Sequence, residues 1–146
     1  MLTFRAATLD DVAVLLRMES ELFALPYGQG DLEYFIQEKH ANVVVLERDT
    51  EIIGFFIVLL LFEEAQIAQL AVRSNYQNQG YGKMLLQEII ELAKNAGCEK
   101  LTLEVRVSNK KAIELYQKQG FGKLAFRKDY YQKPQEDGLV LRRGLL

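Results

Sequence analysis

The sequence predicts an α/β domain built on a mixed central sheet, and three observations lead there. Apolar residues recur at helical spacing in some segments and cluster in short β-branched or aromatic runs in others, giving the order β-α-α-β-β-β-α-β-α-β-β. Two of the runs, 66–72 and 101–107, flank one long amphipathic helix, the layout of a right-handed crossover between parallel central strands. Between the first run and that helix lies Gln77-Asn78-Gln79-Gly80-Tyr81-Gly82-Lys83, at the carboxyl edge of the sheet where ligands of such folds bind.

Residues 2–7 read as a strand, and Thr8-Leu9-Asp10-Asp11 opens a helix whose stripe of Val12, Leu15, Leu16 and Met18 reaches Phe23. Residues 25–30 form a loop and 31–40 a second helix. Segments 42–47 and 52–62 make a hairpin, followed by the strand at 66–72. After the glycine turn, Met84, Leu85, Ile89, Leu92 and Ala93 mark one face of a helix over 82–96, ended by Asn95-Ala96-Gly97. A strand at 101–107, a helix at 109–119 stopped by Gly120, and strands at 122–127 and 139–142 complete the order.

At 146 residues, 49% hydrophobic and 26% charged, the chain is expected to form one domain spanning 1–146 with a full core. The single Cys98 allows no internal disulfide, and with the single His40 it cannot build a thiolate or imidazole metal cage, so no metal is expected. The most apolar stretch, 52–62, is broken by Gly54 and is far shorter than the roughly 20 residues of a membrane helix. No signal-peptide core precedes Arg5 and Asp10, and a cytoplasmic protein with no membrane partner is expected. Residues 1–70 carry 12 acids and 4 bases, whereas 71–146 carry 8 acids and 14 bases. The basic half suits a polyanionic cofactor and the acidic half a cationic amine, while no compact basic stretch argues for nucleic acid.

The glycine turn has its own chemistry. Gly80 and Gly82 lack a Cβ, so backbone N–H groups can approach an anion, and the helix that follows aims its positive dipole end at the same point. A phosphorylated cofactor is implied. A nucleotide-triphosphate loop is excluded, because Gln77 stands at its first glycine and Met84 where magnesium needs a hydroxyl. The dinucleotide fingerprint fails at Leu85, which occupies its third glycine.

Gln77-Asn78-Gln79-Gly80-Tyr81-Gly82 resembles the Arg/Gln-x-x-Gly-x-Gly/Ala acetyl-coenzyme A motif of the GCN5-related N-acetyltransferase (GNAT) superfamily, placed between the fourth strand and third helix as in that superfamily. Leu103-Glu104-Val105-Arg106, Ser108-Asn109, Ala112-Ile113-Glu114-Leu115-Tyr116, Gly120-Phe121 and Asp129-Tyr130-Tyr131 resemble its ribosomal-protein alanine N-acetyltransferase (RimI-like) branch. The similarity is strong over 70–131 and weak before it.

The resemblance implies a GNAT-type sheet with a splayed parallel pair, and acetyl transfer from acetyl-coenzyme A to a primary amine by direct attack. The thioester carbonyl would meet a backbone N–H on Leu70-Ala71-Val72, with Val72 the donor, and the pyrophosphate would rest on the amides from Asn78 to Lys83. The Asn109 side chain would be a further coenzyme contact. Glu104 resembles the general base and Tyr116 the general acid. Taken by themselves, Leu101, Leu103 and Val105 fill one face of their strand, leaving Thr102, Glu104 and Arg106 on the other. A carboxylate within a central parallel strand needs a reason, either this base or an ion pair with Arg106 or a lysine. Glu63 and Glu64 are rival bases, and Tyr116 is on residue pattern alone a core tyrosine beside Ala112 and Ile113. Cys98 reads as packing and His40 as a loop residue.

For the acceptor, an α-amine with pKa near 7.7–8.0 is roughly a tenth or more neutral at pH 7, against well under a hundredth for a lysine amine near 10.4. A modest carboxylate base therefore suits a protein N-terminus. Pro26-Tyr27 and Tyr130-Tyr131 occupy places comparable to the peptide-flanking residues of the branch, although Tyr27 replaces a usual tryptophan and Gly28-Gln29-Gly30 departs from its helix-capping pattern. An aliphatic polyamine or an antibiotic amine is the alternative acceptor. A non-catalytic acyl-coenzyme A-binding module is the alternative of another class, disfavoured by Glu104 and Tyr116, which a pure binder does not need.

Overall fold

The structure, a computed structural model, describes residues 1–146. The chain runs β1 (Leu2–Ala6), α1 (Val12–Leu22), α2 (Gln29–Gln37), β2 (Ala41–Arg48), β3 (Glu51–Leu61), β4 (Glu64–Val72), α3 (Tyr81–Asn95), β5 (Lys100–Arg106), α4 (Lys110–Lys118), β6 (Gly122–Tyr131) and β7 (Glu136–Gly144). The expected order holds, with boundaries shifted at several element ends, two of them for a clear physical reason. Helix α2 begins inside the expected loop because the Gly28 N–H donates to Asp31 Oδ2 at 2.9 Å, which makes Gly28 its N-cap. The β6–β7 hairpin is longer than its local pattern suggests, because Tyr131 pairs with Glu136 across a polar, bulged stretch that reads as loop when taken alone.

All seven strands form one sheet in the order β1-β2-β3-β4-β5-β7-β6, in which β4–β5 is the parallel pair. That pairing runs only from Glu64 opposite Lys100 to Ile67 opposite Leu103, after which both strands continue but separate. The separation begins at a bulge: Ile57 of β3 faces Gln69 while the next residue, Val58, faces Ile67, leaving Ala68 without a partner. An extra residue reverses the side-chain alternation. Ala65 and Ile67 face the α3 side before the bulge, Leu70 and Val72 face it afterwards, and Ala71 turns to the α1/α2 side.

Two cores sandwich the sheet. On one face Leu85, Leu86, Ile89, Ile90 and Ala93 of α3 pack on Ile53, Phe56, Val58 and Leu103; on the other Val12, Leu15 and Met18 of α1 and Leu32 of α2 pack on Val43, Val45, Phe55 and Ile57. Strand β3 is buried on both faces, which is why it reads as one apolar run, and truncating Phe55 or Phe56 to Ala costs about 3–5 kcal/mol. Gly54 has a packing reason: a Cβ there would lie 2.8 Å from the Ala71 carbonyl oxygen and 3.0 Å from Leu85 Cδ1. Bare backbone lets α3 settle on the sheet and brings its first turn to the end of β4. Cys98 is buried, its thiol donating to the Phe62 carbonyl at 3.3 Å with a pKa pushed up by burial, while His40 lies exposed before β2. No helix is long and apolar enough to cross a membrane.

Candidate active site

Between β4 and α3 the chain turns through left-handed backbone at Asn78 (φ 64°) and Gly80 (φ 88°), and a side chain at Gly80 would be strained by that φ. The first helical bond of α3 runs from the Met84 N–H to the Gly80 carbonyl at 3.1 Å, so the amides of Tyr81, Gly82 and Lys83 have no intrahelical acceptor. They converge at the positive end of the helix, the geometry that holds a diphosphate. Gln77 is braced inward, its Nε2 donating to the Val72 carbonyl at 2.9 Å, and Gln79 Nε2 donates to the Asn75 carbonyl at 3.2 Å.

The free edge of β4 supplies a second set of amides. The Arg73 N–H donates to the Ile53 carbonyl at 2.9 Å, and antiparallel alternation from that bond directs the amides of Ala71 and Gln69 to β3. Those of Leu70 and Val72 point instead into the gap that β5 has left. The Val72 carbonyl on that edge is already taken by Gln77.

The gap opens into a cleft of about 770 Å³. On the α3/α4 side Leu70, Leu103, Val105, Ala112, Leu115 and Tyr116 give it an apolar wall. On the α1/α2 side its wall includes Tyr27, Gln69, Glu104, Arg127, Tyr130 and Tyr131. Glu104 is the first β5 residue beyond the last paired position and is exposed, whereas Tyr116 is buried with its ring edge-on to Phe121 at 5.6 Å. Burial, then the charge of Tyr131, pushes the Tyr116 phenol up to about 12. Tyr131 is likewise pushed up to about 12 by burial and then by Glu104, and Tyr130 is raised first by polar contact with the Glu104 carboxylate. Three phenols, Tyr27 included, thus feel the charge of Glu104.

Arg106 is not the ion-pair partner of Glu104. Its guanidinium stacks 4.6 Å from the Tyr131 ring centroid and donates to the carbonyls of Pro134 and Gln132 at 2.8 and 2.9 Å and to Glu136 at 3.3 Å, clamping the β6–β7 turn. Glu64 lines the cleft but lies at the fully paired end of β4, accepting a bond from Thr102 Oγ1 at 3.1 Å; Glu63 is exposed at the hairpin tip. Asn109 caps α4, its Oδ1 accepting from the Ala112 N–H at 3.3 Å, and the residue also lines the cleft. Pro26 is exposed on the loop outside the cleft wall; Ala71, Val72 and residues 77–83 also lie outside that wall, the last at the helix entrance.

Three neighbours of the site lie outside the expectations drawn from the sequence. Gly138 makes room for the tyrosine pair, since a Cβ there would come within 3.0 Å of Tyr131 and 3.2 Å of Tyr130. Glu19 is fully buried on α1, accepting bonds from the Tyr27 N–H at 2.8 Å and from Gln69 Nε2 at 3.1 and 3.0 Å, with its pKa raised by burial. A signal for it existed: position 19 continues the core-facing stripe of Val12 and Leu15, where a carboxylate is out of place. Gln69 shows itself only once the bulge turns it to this face.

A sheet split at its parallel pair, with an anion-binding helix entrance on one side and a carboxylate on the other, defines an acyl-coenzyme A-dependent transferase fold. The chain belongs to the acetyltransferase (GNAT) family, whose model matches residues 12–121, and it is an acetyl-coenzyme A-dependent N-acetyltransferase. It is similar to the [ribosomal protein bS18]-alanine N-acetyltransferase of Haemophilus influenzae, 36% identical over 134 residues that cover 90% of each chain. The crystal structure of the ribosomal-protein-S18-alanine N-acetyltransferase from Escherichia coli superposes with a TM-score of 0.92 at 28% identity, covering 99% of this chain and 94% of that one. A spermidine N-acetyltransferase chimera from Vibrio cholerae and hSSAT shares the fold, with a TM-score of 0.87 at 20% identity over 99% of this chain and 95% of that one.

Proposed function

We propose that this enzyme acetylates the α-amine of a protein N-terminus, with the whole chain acting as one catalytic domain in the cytoplasm. The observation that carries the reading is the position of Glu104, just past the point where β4 and β5 part, ringed by Tyr27, Tyr130 and Tyr131 on the face opposite Tyr116. Such a ring offers aromatic surface to the first side chains of a peptide. The relatives named for acetylating a ribosomal protein's alanine support the same acceptor class.

In this reading the amides of Asn78 to Lys83 seat the coenzyme diphosphate, and the apolar wall that includes Leu70 takes the pantetheine arm. Gln77 supports them by holding the end of β4, and the Asn109 amide nitrogen offers a further bond. The Val72 N–H polarises the thioester carbonyl, with developing negative charge placed on a donor that needs no reorganisation. Glu104 accepts the proton of the acceptor ammonium, directly or through water, and the freed nitrogen forms the new C–N bond. The C–S bond then breaks, Tyr116 donates its proton to the departing thiolate, and the second proton shed by the nitrogen restores the phenol through water.

With the phenol at about 12, donation to a thiolate near 8.5 is uphill by about 5 kcal/mol, against about 2 for an ordinary tyrosine. That is compatible with turnover, since a rate of about 1 per second corresponds to a barrier near 17 kcal/mol. The same burial keeps Tyr116 protonated at every physiological pH.

Thiol release from acetyl-coenzyme A with peptides beginning Ala, Ser or Met, set beside spermidine, tests the proposal. Preference for a peptide is the expected result. Faster turnover of spermidine would transfer the function to small amines, and coenzyme-dependent melting with no turnover would reduce the protein to a binder.

A further inference from the structure

We infer that Glu19 is a positioning residue for the acceptor, a buried carboxylate that fastens the loop after α1 to β4 at the place where the sheet opens. The inference rests on the acceptor entering from the α1/α2 side, as proposed above. Glu19 has no cationic partner, and its carboxylate is held by three N–H bonds. One comes from the backbone of Tyr27, in the loop whose Phe23, Leu25 and Tyr27 line the cleft; two come from the side chain of Gln69, the first residue after the Ala68 bulge.

Stability does not call for a carboxylate in that place. A leucine at a core-facing helix position would bury without the desolvation cost of a carboxylate. What a leucine cannot do is accept bonds from two separate walls of the cleft at once. The loop from Phe23 to Gly28 has no helix or strand ladder, and its Tyr27 amide is tied down by Glu19 alone. Without that tie Tyr27 and Gln69 can drift relative to Glu104, and an acceptor displaced by about 1 Å can cost up to a hundredfold in productive encounter. The coenzyme site, on the other face and built on α3, shares none of these bonds.

The test is the kinetics of Glu19→Leu and Glu19→Gln in the full-length enzyme, with acetyl-coenzyme A binding measured separately by calorimetry. Glu19→Leu is expected to raise the acceptor KM about tenfold to a hundredfold while leaving the acetyl-coenzyme A KM and Kd within about twofold. Glu19→Gln is expected to recover most of the loss, because its Oε1 can accept from Tyr27 and its amide can donate to a reoriented Gln69. Wild-type acceptor KM in Glu19→Leu, or an equal rise in both KM values, would overturn the assignment. Should Glu19→Leu fail to fold, Gln69→Met breaks the same link from the strand, and the cycle of Gln69→Met with Glu19→Gln decides: coupled effects support the tie and additive ones remove it. If the wild type prefers spermidine to every peptide, the α-amine reading fails by itself, and the KM split is then read on spermidine.

Discussion

In the proposed reaction the two faces of the split sheet recognise their substrates by different means. On the α3/α4 face the polar work falls to main-chain groups, the amides of Tyr81, Gly82 and Lys83 and the edge amides of Leu70 and Val72, with Tyr116 as the one ionisable side chain in a largely apolar wall. On the α1/α2 face it falls to side chains, Glu104 with Tyr27, Tyr130 and Tyr131, gathered from α1's loop, β5 and the β6–β7 hairpin. A backbone site constrains conformation more than residue identity, so it can stay fixed while the acceptor face varies. One fold can thereby keep its donor and change its acceptor.

Four substitutions sharpen or break this contrast. Glu104→Gln should reduce turnover at pH 7 by about a hundredfold to a thousandfold and leave acetyl-coenzyme A affinity unchanged. The deficit should shrink above the α-amine pKa of about 8, where the acceptor is already neutral; a pH-independent loss measured by stopped-assay peptide acetylation would assign Glu104 a structural role. Tyr116→Phe should lower kcat about tenfold to a hundredfold with a melting temperature close to wild type, and an unchanged kcat would leave Tyr116 as core packing beside Phe121.

Gly80→Val probes the other face. Forcing a β-branched residue into left-handed backbone costs about 1–2 kcal/mol, which predicts an acetyl-coenzyme A KM raised about 5- to 30-fold and an unaltered acceptor KM. A larger acceptor effect would blur the division between faces.

Asp11→Asn is the control in which a polar network on the α1/α2 side does no chemistry. Asp11 accepts from Arg5 Nη1 and Nη2 at 2.8 Å each and from the Thr8 N–H at 2.8 Å, and the guanidinium holds its pKa below the ordinary range. Stabilisation from such a depressed carboxyl is complete above about pH 4 and disappears as pH falls through the native value. The variant should keep both KM values, lose about 1–3 kcal/mol of stability at pH 7, and show a smaller decline than wild type on acidification, followed by thermal melts from pH 7 to pH 3.

The contrast also explains what could be read in advance. The glycine turn is local: spacing, left-handed backbone and a helix start are all properties of a dozen consecutive residues, and Gly80 sits where they require it. Glu104 is visible because a carboxylate in a central strand is anomalous wherever the strand lies. The Ala68 bulge leaves a faint trace, the apolar phase shifting from Ala65 and Ile67 to Leu70 and Val72, yet a seven-residue run read as one strand hides it. Tyr130 and Tyr131 resemble acceptor-site residues, but their strand is held by pairing with β7 and by the space Gly138 leaves, neither of which is local.

The sequence by itself determined the order of elements, the glycine turn before α3 and the carboxylate at position 104, because each follows from periodicity or from residues adjacent in the chain. The tertiary structure alone decided that β4 and β5 part after Ile67 and Leu103 and that Gln69 turns toward Glu19. Those outcomes depend on one unpaired residue in the β3–β4 register. A register is a relation between segments, and only their packing fixes it.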